Sequence, residues 1–72
     1  MERDEIIELS PLEQEINALL NKSGCYIQTY RAIDALNVLS EALRMMNGQS
    51  VHWRIRTADL KNTGQAYIQL GQ

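Results

Sequence analysis

His52, Arg54, Arg56, Lys61 and Tyr67 are the residues whose types and spacing point to chemistry in this chain. Two guanidiniums, an ammonium, an imidazole and a phenol gathered on one surface would neutralise phosphates, donate hydrogen bonds and stack on bases. His52, Arg54 and Arg56 alternate with Val51, Trp53 and Ile55, while Tyr67 and Gln69 alternate with Ala66, Ile68 and Leu70. A period of two is strand spacing, in which each segment sends one set inward and the other to solvent. Centring a hairpin between Leu60 and Lys61 pairs Val51 with Leu70, Trp53 with Ile68 and Ile55 with Ala66. The same register sets His52 opposite Gln69 and Arg54 opposite Tyr67, and no acid falls on that polar face. The plainer account of Arg54 and Tyr67 is a cross-strand pair on a solvated surface.

Nothing else in the inventory supports turnover. His52 is the only histidine and Cys25 the only cysteine, and they lie far apart in the chain. One of each falls short of a structural zinc site and makes a nucleophile–base pair an accident of folding. Glu13 and Glu15 are two apart, so on a helix they face different ways and cannot act as an acid–base pair. The glycines, at 24, 48, 64 and 71, are isolated, so no phosphate-cradling loop exists. The expectation is a binder without catalytic residues, metal, cofactor or small-molecule substrate.

A protein partner, or a second copy of the chain, is the rival to nucleic acid. Tyr30, Met45, Met46, Trp53 and Leu60 are the interface candidates, since aromatic residues and methionine are enriched at interfaces. A two-stranded sheet also leaves open edges that invite pairing. Trp53 and both methionines serve equally well as the core of a small domain. Leu60, at the expected hairpin tip, is either a contact point or an apolar residue folded back on a helix.

These groups must be positioned by a single small domain. At 72 residues the chain buries only about 60% of its unfolded surface. Net charge is −2 and unevenly spread: residues 1–24 carry −4, residues 25–48 are neutral, and residues 49–72 carry +2. The molecule therefore has an acidic end and a basic end, an asymmetry that self-association could use. No run of about 18 apolar residues is present to span a membrane. The acidic start Met1-Glu2-Arg3-Asp4-Glu5 is unlike a signal peptide. With a lone cysteine, this predicts a cytoplasmic setting.

Residues 1–9 are expected to form a flexible acidic lead, and residues 10–72 the domain. Ser10-Pro11-Leu12-Glu13 is a helix start: Ser10 accepts from an orphan amide, Pro11 fits the first helical position, and Glu13 bonds back to the cap. Leu12, Ile16, Leu19 and Leu20 follow on one stripe, and Gly24 is placed to end the helix. Ile33, Leu36, Leu39, Leu43 and Met46 predict a second helical stripe ended by Asn47-Gly48. That segment starts near Cys25 or after Thr29, and is one helix unless Asn37 marks a turn that makes it two. The hairpin loop is expected over Thr57 to Gly64.

This order of elements resembles a winged helix-turn-helix DNA-binding domain. Pro11 through Leu20 is similar to the family's first helix, and Ile33-Asp34-Ala35-Leu36-Asn37-Val38 to the end of its second helix and the following turn. Ala42-Leu43-Arg44-Met45-Met46 resembles the end of a recognition helix, and Gly48 to Leu70 a wing. Between Asn37 and Leu43 the chain is about one helical turn shorter than such a recognition helix, so the resemblance implies DNA contact mainly through the wing. The expectation is an α+β domain, with two or three N-terminal helices packed on a C-terminal antiparallel β-hairpin. Its expected role is that of a small regulatory or accessory protein of phage or plasmid type, associating with nucleic acid or, failing that, with protein.

Overall fold

The computed structural model describes residues 9–71. Three helices follow one another: α1 (Pro11–Gln28), α2 (Ala32–Met46) and α3 (Trp53–Gln69). They run up, down and up, so that α1 and α3 are parallel and α2 is antiparallel to both. Cross-links show the parallel pair: the His52 amide donates to Glu13, Asn62 reaches Leu20 and Ser23, and Gln69 reaches Ile27.

The start of α1 follows the sequence. The Glu13 amide donates to Ser10 Oγ at 3.1 Å, and the Ser10 amide donates to Glu13 Oε1 at 2.9 Å. Gly24 does not end the helix, because Tyr26 and Ile27 beyond it pack against the core and carry the last turn. The helix stops instead at Thr29, whose hydroxyl donates to the Cys25 and Tyr26 carbonyls. The Tyr30 amide then donates to Ile27 O at 3.0 Å and the Arg31 amide to Tyr26 O at 2.7 Å. This pair of bonds is a Schellman motif, whose left-handed position is usually glycine. Here Tyr30 occupies it, at φ 61°. Tyr30→Gly should relieve that backbone cost and stabilise the fold by about 0.5–1 kcal/mol, read as a higher urea midpoint at unchanged slope.

α2 runs unbroken through Asn37 and ends at Asn47, with Gly48 at φ 75°. Its buried residues are Ala32, Ala35, Leu39, Ala42 and Met46, alternately three and four apart. The expected stripe is thus rotated. Leu39 and Met46 face inward, but Ile33 and Leu43 are exposed and small alanines take their place. Alanine lets neighbouring helices approach closely, which suits a core with few large side chains.

The hairpin expected over residues 50–70 does not form. Among the described residues there is no strand, and Trp53–Gln69 is helix, so the fold is all-α rather than α+β. The stretch compared with a wing is α3. The apparent alternation covers only six residues at one end and five at the other, too few to exclude a helical period. Across the whole segment Ile55, Asp59, Asn62, Ala66 and Gln69 recur every three or four positions and turn inward. Asp59-Leu60-Lys61-Asn62 also lacks the residue pair a tight hairpin turn demands. The predicted lead falls on residues 1–8, outside the described residues, except Leu9, which packs against the core.

Candidate interaction surface on α3

His52 starts the helix that carries the site. Its Nδ1 accepts from the Arg54 amide at 3.1 Å, and its own amide donates to Glu13 Oε2 at 2.8 Å. One carboxylate therefore caps α1 and holds the start of α3 beside it. The backbone amides of Ser10 and then His52 stabilise its charged form and hold the Glu13 pKa below the ordinary value.

Three ranks of residues, each repeating every seven positions, make up the solvent side of α3. Trp53, Leu60 and Tyr67 form the crest. Arg54, Lys61 and Ile68 run along the flank towards α1, where Arg54 and Ile55 share a small cavity with Leu9 and Asn17. Arg56, Thr63 and Leu70 run along the flank towards α2: Arg56 lies beside Leu43 and Arg44, and Leu70 beside Ile33. Trp53 is 63% exposed, Leu60 72%, Tyr67 46% and Ile68 74%. The Arg54 guanidinium lies 5.5 Å from the Trp53 ring centroid and the His52 ring 5.6 Å from it, so the three form a cluster at one end.

The helix has one acid, and it is turned away from this surface. Asp59 is buried, and its Oδ1 has no hydrogen-bond partner among the described residues. Burial pushes its pKa up, against the opposing pull of the Arg56 charge. A carboxyl held above its ordinary pKa binds its proton more tightly in the folded chain than in the unfolded one. Stability therefore falls as pH rises from the ordinary carboxylate range, near 4, through the raised folded value. Asp59→Asn should stabilise the fold at pH 7, because a neutral amide avoids the cost of burying a charged carboxylate. Urea titrations should show that gain shrinking to nothing by about pH 3.5. Glu13 acts with the opposite sign, its contribution being present above the ordinary range and lost on acidification.

The sequence-predicted basic and aromatic residues thus all fall at the cap or on the body of one element. Arg54, Arg56, Lys61 and Tyr67 are exposed, whereas His52 is half-buried and engaged in capping. Of the interface candidates, Trp53 and Leu60 stand on the crest, Tyr30 projects from the α1–α2 turn, Met45 is half-buried, and Met46 lies in the core. Sequence reasoning missed Ile68, which alternation had turned inward. The recurrence of large apolar residues at 53, 60 and 67 was the signal that could have found the crest.

Among the described residues no three His, Cys, Asp or Glu side chains gather where they could hold a metal ion. No described helix is long and apolar enough to cross a membrane. Comparison with protein-family models, curated proteins and solved structures gives no match for this chain.

Proposed function

We propose that this chain is a small, non-enzymatic binding module that docks on a protein partner through the outer side of α3. The observation that carries this reading is four large apolar side chains left in water on one helix, bordered by Arg54, Arg56 and Lys61 with no exposed acid on that helix. Isolated exposed apolar residues are ordinary, but a run of them along a whole helix is the mark of an unmade contact. The fitting partner is an apolar groove with carboxylates on its rims.

A second copy of the chain is the poorer fit. A two-fold contact apposes the same patch on both molecules. Lys61 stands at the midpoint of Trp53–Gln69, so an antiparallel α3–α3 pair would place it against its own copy. Nucleic acid is the second reading, and the three cations without an exposed acid favour it. Leu60 and Ile68, however, would gain nothing from a phosphate backbone. Cys25, exposed and unpaired on α1, suits a reducing cytoplasm.

A photo-crosslinking side chain placed at Leu60 tests the choice in living cells. The expected result is one discrete protein adduct that the same group at Asn21, exposed on α1, does not give. Capture of nucleic acid, or equal labelling from both positions, would overturn the reading.

A further inference from the structure

Between the last turn of α2 and the first turn of α3 lies an open cavity of about 500 Å³ with Arg44 on one wall and Arg56 on the other. We propose that this cavity binds an anionic group carried on an apolar body, a carboxylate or a phosphate monoester joined to a hydrocarbon. Its remaining lining divides in the same way: Leu43 supplies the apolar surface, with the buried Met46 behind it, and Ser40, Asn47 and Gly48 the polar one.

Two arginines that line one space repel each other unless an anion balances them, and no carboxylate lines this cavity. Among the described residues the ion pair formed is Arg31–Asp34, which involves neither of these arginines. Asp59, whose carboxyl feels the charge of Arg56, sits in the helix interface and not on the cavity wall. Arg56 is held in place by one bond, from Nη2 to the Gln49 carbonyl at 3.1 Å. That bond uses one of its five N–H donors and leaves the fork able to take an oxyanion. The volume lies within the range of small-ligand sites, and such sites combine apolar walls with a few convergent polar groups. A bare anion would leave Leu43 unused, and a neutral hydrocarbon would leave both arginines unpaired. The site needs only α2, the turn that follows it and the first turn of α3, so it stands whether or not the crest of α3 meets a protein.

The test is an NMR titration of the whole chain at constant ionic strength, following the Arg44 and Arg56 Nε–H signals and the Met46 methyl. The probes are hexanoate, hexyl phosphate, a short acetylated Leu-Glu-Leu amide peptide, and hexanol and acetate as controls. Saturable shifts of all three reporters are expected with the amphiphilic anions, at least about tenfold tighter than with hexanol or acetate. Arg44→Gln and Arg56→Gln should each weaken binding by about tenfold. Both residues are exposed, and an unchanged melting curve would confirm that the variants fold. Tightest binding of the peptide would assign the anion to a protein's acidic side chain, and tightest binding of hexyl phosphate or hexanoate to a free small molecule. Equal shifts with hexanol, or undiminished binding in both variants, would overturn the proposal.

Discussion

Ile16→Ala is expected to leave the chain largely unfolded at 37 °C. Ile16 is wholly buried, and four of the nine buried residues of the core to which it belongs are alanines, at 32, 35, 42 and 66. Large buried side chains are therefore few: Ile16 and Leu20 from α1, Leu39 and Met46 from α2, and Ile55 from α3. Truncating one of them removes its transfer free energy and leaves a void that alanines on the facing helices cannot fill, at a cost of about 2–4 kcal/mol. A single core in a chain of this size supplies only about 3–5 kcal/mol of net stability, so the loss is close to the whole. Melting followed by circular dichroism should show a fall of more than about 10 °C. Ile33→Ala is the control, since the same three carbons are lost from a side chain that is 65% exposed. It should change stability by less than about 0.5 kcal/mol, and equal melting of the two variants would contradict the packing.

The parts of this fold legible in the sequence were those written in local chemistry. The capping box at Ser10 and Glu13 needs only four consecutive residues, and it forms as the pattern requires. The stop at Asn47-Gly48 is legible for the same reason. Gly24 misled because a glycine inside a helix costs only about 1 kcal/mol, which the packing of Tyr26 and Ile27 outweighs. On α2 the apolar pattern admitted two stripes a step apart. Only the close approach of three helices selects the one rich in alanine, and that is a tertiary choice. The α3 segment failed most instructively. His52, Arg54, Arg56 and Tyr67 were grouped on one surface by a period of two. A period of 3.6 also leaves the arginines and Tyr67 facing solvent, but sends Asp59 inward and Leu60 and Ile68 outward. The basic character of the surface thus survived the wrong element, while its apolar crest, spaced by seven at 53, 60 and 67, emerges only when the segment is read with a helical period.

The double variant Leu60→Glu/Ile68→Glu is expected to abolish docking while leaving the fold intact, because both side chains are about three-quarters exposed and support nothing beneath them. Loss of two apolar anchors at the middle of a helix-in-groove contact costs about 2 kcal/mol or more each, a combined weakening of more than a hundredfold. The two new carboxylates would also face the partner's acidic rim across the former crest. The matching variant Leu60→Lys/Ile68→Lys separates the two partner classes by the sign of its effect. It removes the same apolar contact, so a protein partner captured at position 60 should again be lost, within about tenfold of the glutamate variant. A nucleic acid should respond in the opposite sense. Two further cations beside Arg54, Arg56 and Lys61 would each displace a counterion, raising duplex affinity and steepening its logarithmic salt dependence by nearly two. Duplex anisotropy and partner binding measured on the same three proteins at 50 and 200 mM salt therefore decide the matter. Weakened partner binding in both variants supports the protein-docking surface. Stronger, salt-labile duplex binding in the lysine variant, with no captured protein to lose, would make α3 a phosphate-binding helix instead.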